Sequence, residues 1–135
     1  MRHIRLRLGP HTLLFPLDAA ASVEDGAAYV GKPLVRRDGF LVPVRDLVAE
    51  VLGTFDGGRT ALHLQRHDER AVLLVERAET LVDVDDVAWH PLPASLGALA
   101  SWVDAVVRAT DSDPPAYRLC VAAVWRELAR IPEAS

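Results

Sequence analysis

The sequence predicts a mainly β chain folded as small barrels around one core, with only short helices. Short apolar runs, several alternating with a period of two, recur at close spacing, and most are bounded by Gly, Pro or Asp-Gly turn signals. Nowhere do they alternate with helical stretches long enough for a βαβ crossover, which leaves a barrel or a sandwich.

Ile4, Leu6 and Leu8 alternate with Arg5 and Arg7, so a first strand has one apolar face. Gly9, Pro10 and His11 turn the chain into a second strand over 12–17, making a hairpin. Residues 18–23 are Ala-rich and could open as a helical turn, but Gly26, Gly31 and Pro33 stop a long helix and make 24–33 mostly loop. Asp38-Gly39 leads into a buried strand over 40–44, and Pro43 inside it lacks a donor, which predicts an edge position or a kink. Asp46 is placed to cap a short helix whose Leu47, Val48, Val51 and Leu52 follow helical spacing up to Gly53.

The turn Asp56-Gly57-Gly58 opens a second half, so the single domain 1–135 divides into parts 1–53 and 54–135, with closing strands free to exchange between them. Alternation returns over 61–64. After the polar stretch His67 to Arg70, residues 71–75 form a continuous apolar run suited to a strand covered on both faces. A strand over 78–84 follows, then the stiff connector Pro91-Leu92-Pro93. Strands over 102–109 and 117–123, joined by a turn at 111–115, and a helix over 124–131 complete the chain.

Composition narrows function by exclusion. The net charge is -4, and the basic residues are nearly all Arg, in short groups such as Arg2, Arg5 and Arg7. That balance argues against nucleic-acid binding, which needs clustered cations to release counterions. Cys120 is the only cysteine, so no intrachain disulfide or clustered-cysteine zinc site can form, and its apolar neighbours predict a buried strand thiol. No run reaches the ~18 apolar residues of a membrane span, and no signal-peptide pattern stands at Met1. A cytoplasmic protein without direct membrane insertion is expected.

The competing chemistries are weak. His63 and His67 straddle a strand and its turn, where positions four apart lie roughly 13 Å apart if extended, too far for one metal. His3, His11 and His90 read as surface or turn residues. Asp83, Asp85 and Asp86 lack the ligand order of a calcium loop, and Asp46 and Glu50 are one helical turn apart on an exposed face. Cys120 and the serines Ser22, Ser95, Ser101, Ser112 and Ser135 sit in no nucleophile pattern, and no phosphate-cradling glycine loop exists. The expectation is therefore no enzyme, no cofactor and no metal. Trp89, Trp102 and Trp125 read as core or core-edge residues, whereas Phe40, after its turn, is a candidate contact residue.

The segment Asp38-Gly-Phe-Leu-Val-Pro-Val-Arg-Asp-Leu47 resembles the Gly-x-Val-Val-Pro-Val-x-Asp-Leu segment of CheW-like domains. Ala71-Val-Leu-Leu-Val-Glu-Arg-Ala-Glu-Thr-Leu-Val-Asp-Val84 is similar to the family's apolar strand and Val-Asp-x-Val step, and His90-Pro-Leu-Pro93 to its Pro-rich link. The first hairpin and the closing strands and helix extend the resemblance over nearly the whole chain.

The resemblance implies two five-stranded, SH3-like barrels sharing a core. It also implies a non-enzymatic scaffold that couples the cytoplasmic tips of chemoreceptors to the regulatory domain of a CheA-type histidine kinase, with another CheW-like protein as a further candidate partner. By the same resemblance the receptor groove has walls at Ala20 and Ser22 and at Val35, Arg36, Arg37, Asp38 and Gly39, leading to Phe40. The kinase contact falls near Leu41, Val42 and Val44.

Two departures stand out. The family's Asn-Leu-Arg-Gly turn is Arg36-Arg37-Asp38-Gly39 here, an acid in place of an arginine, and the stretch from Val23 to Arg36 is short. A charge reversal repels a standard partner, which suggests an accessory coupling protein that binds only some of the usual partners, as in gliding-motility systems. Two other readings stay open: an unrelated small-barrel interaction module, and a small-barrel enzyme.

Overall fold

A computed structural model describes residues 1–53, 58–84, 88–94, 96–107 and 114–129. Ten strands and two short helices are among them: β1 Arg2–Leu8, β2 His11–Pro16, β3 Ala20–Asp25, β4 Leu34–Arg37, β5 Phe40–Asp46, α1 Leu47–Leu52, β6 Thr60–Arg66, β7 Glu69–Val75, β8 Arg77–Asp83, β9 Val103–Val107, β10 Ala116–Leu119 and α2 Val121–Ala129. They form two five-stranded sheets, in the orders β8-β1-β2-β10-β9 and β3-β6-β7-β5-β4.

The second sheet is built from one continuous stretch, β3 to β7, while the first joins the opening hairpin to the last three strands. A boundary at Gly53 falls inside the second sheet, between β5 and β6, so the sheets do not divide the chain there.

Alternation decides which side chains meet. In β7, Ala71, Leu73 and Val75 point into a core shared with Leu6, Leu8, Leu13 and Phe15 of the first sheet, with Leu47 and Val48 of α1 and with Trp125 of α2. Val72 and Leu74 point the other way, into a smaller cluster with Tyr29, Val42, Val44 and Ala61. The apolar run 71–75 is thus a strand covered on both faces, as expected. Gly9 turns β1 into β2 at φ +58, and a Cβ there would stand 2.7 Å from Leu52 Cδ1, so α1 packs directly on this turn.

Several expectations need correction. Residues 18–23, read as Ala-rich and able to open as a helical turn, begin with a 3-10 turn over Leu17–Ala19 but go on from Ala20 as β3, whose Ser22, Val23 and Glu24 pair with His63, Leu62 and Ala61 of β6. An available sheet edge outweighs the helix preference of alanine. β5 is not an edge strand, because β7 and β4 flank it. Its ladder to β7 begins only at Val44 opposite Val72, so Pro43 sits just before the point where a donor is needed.

The closing segment 117–123 also splits. β10 ends at Leu119 and α2 begins at Val121, with the Val124 N–H donating to the Cys120 carbonyl. Cys120 is therefore half-buried at a helix start rather than inside a strand. Asp46 caps α1 as expected, its Oδ1 accepting the Ala49 N–H at 3.3 Å and facing Arg59 Nε at 3.1 Å. The expected features at Asp56-Gly57, at Asp85 and Asp86, at Ser95, at 108–113 and at 130–135 lie outside the described residues. Among the described residues, no helix is long and apolar enough to cross a membrane.

Candidate protein-interaction site

Three of the exposed large apolar side chains, Leu34, Phe40 and Leu41, share one hairpin, while Met1, Val23 and Leu81 are exposed elsewhere. β4 and β5 pair from Leu34 opposite Pro43 to Arg37 opposite Phe40, leaving Asp38-Gly39 as a two-residue turn. Both turn residues have positive φ, 51° and 83°, which matches the twist of the flanking strands. Phe40 is 54% and Leu41 62% exposed at the tip, and Val30 and Leu34 are exposed on the approach to it. Apolar groups held in water on a rigid hairpin are what a protein contact needs.

Val42 and Val44 are corrected by the same alternation. They are 3% and 5% exposed and pack into the smaller core cluster, so little of either side chain is open to a partner. Val35 is half-buried against that cluster, and Ala20 is half-buried against the shared core. Ser22, Arg36, Arg37, Asp38 and Gly39 are exposed.

Asp38 is held rather than left free. Its Oδ2 lies 3.7 Å from Arg70 Nη1, and the Arg70 guanidinium stands 5.2 Å from the Phe40 ring centroid. Arg70 thereby ties the hairpin tip to β7 through an ion pair and a cation–π contact. This acidic turn residue has its counter-charge within the same molecule.

A second clasp holds the hairpin from the other side. β3 and β4 are the two edges of their sheet and do not pair with each other, yet Glu24 of β3 meets Arg37 of β4. Glu24 Oε1 accepts from Tyr29 Oη at 2.6 Å and Arg37 Nη1 at 2.8 Å, and lies 2.6 Å from His63 Nε2 on β6. Arg37 Nη1 also donates to Tyr29 Oη. Those donors, Tyr29 first, then Arg37 and His63, hold the Glu24 carboxyl down at about 2. Burial and the facing Glu24 carboxylate push the Tyr29 hydroxyl up.

The sign of the pH effect follows. With the folded value below the ordinary 4.5, the stability that Glu24 contributes is present above 4.5 and lost as pH falls through 2. Thermal melts of the native protein and Glu24→Gln should therefore differ near pH 6 and converge toward pH 2. A constant gap across that range would rule out the clasp.

Two grooves flank the pinned tip. One, of about 220 Å³, runs between the hairpin and β3 and β6 and is lined by Ser22, Arg37, Asp38, Val42, His63 and Gln65 among others. The other, of about 180 Å³, lies between Phe40, Leu41 and Pro43 of β5, the β6–β7 turn and Trp125 and Leu128 of α2. Arg70 lines both. Sequence reasoning found the Asp38-Gly39 turn and the strand after it but not β4, and it missed the contacts of Glu24, Tyr29, His63 and Arg70, because nothing local marks a residue whose partner lies on another strand.

The remaining candidates take structural positions. Among the described residues no group of three His, Cys, Asp or Glu could hold a metal, and His63 Nε2 is committed to Glu24. His3 is corrected from a surface to a buried residue, 1% exposed, with its ring 5.4 Å from that of Trp89 and Nδ1 3.1 Å from the Met1 carbonyl. Burial lowers its pKa below 6.5. Trp102 and Trp125 are core residues, 3% and 5% exposed.

No protein-family model matches the chain, and no curated protein matches it in sequence. Its structure is similar to the crystal structure of scaffolding protein TtCheW from Thermoanaerobacter tengcongensis. The TM-score is 0.70, with 13% identity, and the match covers 88% of this chain and 88% of that one. At that identity the likeness speaks to architecture, and it agrees with two five-stranded sheets around a shared core. The chain therefore has a divergent CheW-like fold, mainly β, of two small SH3-like barrels with few short helices.

Proposed function

We propose that this protein is a non-enzymatic adaptor of a bacterial chemosensory array. In that role it works in the cytoplasm, by protein contact, and couples chemoreceptor cytoplasmic tips to the regulatory domain of a CheA-type histidine kinase. The observation that carries the reading is the pair Phe40 and Leu41, 54% and 62% exposed on a hairpin fixed by two side-chain clasps, on a fold shared with a scaffolding protein.

Pre-organisation matters here, because a contact surface already rigid before binding loses less entropy on association. The partner surface differs from that of ordinary coupling proteins. Asp38, 73% exposed along its side chain even while paired with Arg70, offers a partial negative charge where the family resemblance places a positive one. An accessory coupling protein that engages only some of the standard partners fits that change.

The test is co-purification from cell lysate with a tagged protein, followed by identification of the partners by mass spectrometry. A receptor or a CheA-type kinase recovered with the native form and lost with Leu41→Asp is the expected result. Recovery of neither with the native form overturns the assignment.

A further inference from the structure

The first sheet buries a titratable group that the contact hairpin does not use. Ile4, Leu6 and Leu8 of β1 look into the shared core, so alternation turns His3 to the outer face of its sheet, yet His3 is only 1% exposed. Beside it on that face stands Trp89, with ring centroids 5.4 Å apart.

Trp89 reaches across the sheet. The Arg118 guanidinium of β10 lies 4.6 Å from its ring centroid, and Arg118 Nε donates to Asp104 Oδ1 of β9 at 2.7 Å. The next residue, His90, bridges to Val106 of β9 through two main-chain hydrogen bonds of 2.8 and 3.0 Å. Residues 89 and 90 thus form a strap over the outer face, resting on β1 at one end and stitched to β9 at the other. Leu14 and Ala105, which flank Arg118 in the strand register, are 2% and 5% exposed, so this face is covered as well as the inner one.

Hydrogen bonding fixes the proton of His3. Nδ1 lies 3.1 Å from the Met1 carbonyl, which can only accept, so in the neutral ring Nδ1 carries the hydrogen and Nε2 is bare. Nε2 is buried and has no hydrogen-bond partner among the described residues. A proton added there creates a buried cation whose new N–H has nothing to donate to. The surrounding charges do not compensate. The Met1 amino group and Arg118 each repel that cation more strongly than Asp18 of the 3-10 turn attracts it, Arg5 shares the same face of β1, and the exposed Asp83 of β8 is paired with Arg2. Burial is the largest effect and favours the neutral ring.

We infer that His3 is an acid-sensitive latch: neutral, it packs against Trp89 and keeps the strap on the first sheet, and on protonation it turns out to solvent and the strap lifts from β1. Lifting bares an apolar surface on the sheet that does not carry the Phe40 and Leu41 hairpin. The latch holds whether or not the adaptor reading does. Because the folded ring is harder to protonate than a free one, the stability it contributes is complete above 6.5 and is lost as pH falls from there through the folded value.

The test is NMR of the labelled full chain from about pH 8 to about pH 4.5, following the His3 ring and the Trp89 indole N–H together. The His3 ring should titrate with a midpoint below 6.5, and the Trp89 signal should move to a solvent-exposed position with the same midpoint. His3→Phe, which keeps an aromatic ring but has no nitrogen to protonate, should hold the Trp89 signal in place over that range. His90→Gln, at an exposed position on the strap, should leave both midpoints unchanged.

A His3 midpoint at or above 6.5, or a ring that does not titrate at all, overturns the latch. So does an indole signal that stays in place while His3 titrates, that moves equally in His3→Phe, or that follows His90 instead. Should His3→Phe not fold, the two midpoints in the native chain still decide the outcome.

Discussion

Leu73→Ala is expected to cost about 2–5 kcal/mol of folding stability, toward the upper end of what such truncations cost. Leu73 is fully buried, on the face of β7 that looks into the core shared by both sheets. Leu6, Leu13, Phe15 and Val124 belong to the same cluster and are likewise nearly or fully buried. A void between two hydrogen-bonded sheets and a helix cannot collapse easily, so the cavity remains and its walls lose their contacts.

A single domain has only about 5–15 kcal/mol to lose. Because the damaged cluster belongs to both sheets, unfolding should stay one cooperative transition, displaced to lower temperature by any probe. Circular dichroism and tryptophan fluorescence melts would check this. Two separated transitions, or a loss under about 1 kcal/mol, would mean that the sheets hold separate cores.

Leu41→Asp is expected to do the opposite: leave the fold intact and remove binding. At 62% exposure Leu41 supports little of the core, so its replacement should shift stability by no more than about 0.5 kcal/mol. A central apolar contact at an interface is worth about 2 kcal/mol or more, roughly 30-fold in affinity, and a carboxylate forced into the same place adds a desolvation cost. Calorimetric titration against the co-purified partner would measure it. Undiminished affinity would move the contact away from the hairpin.

These two residues lie in strands of similar apolar composition, and their different fates show what sequence can and cannot reveal. The run 71–75 has no polar position, so both of its faces must be covered, and that was legible. In Phe40 to Val44 the inward residues are Val42 and Val44, while Phe40 and Leu41 stand outside. Composition marks this segment as apolar but does not say that the cover over the face of Val42 and Val44 ends before Phe40, which shares that face, or that Leu41 on the opposite face is left exposed.

The clasps were illegible for a related reason. Glu24, Tyr29, Arg37 and His63 come from four separate places along the chain, and Asp38 and Arg70 from two. Each is an ordinary polar residue until the sheet curls. Asp38 read as a repulsive departure because its counter-charge was not local.

By itself the sequence determined the mainly β class, most strand positions, the capped helix at Asp46 and the CheW-like resemblance, because period, turn chemistry and capping are set within a few residues. Tertiary structure alone decided that β3 is a strand, that Val42 and Val44 face inward, that His3 is buried, and that Arg70 and Glu24 fix the hairpin. Those outcomes depend on which distant strand arrives alongside, and pairing energy between distant segments is written in no single window of the chain.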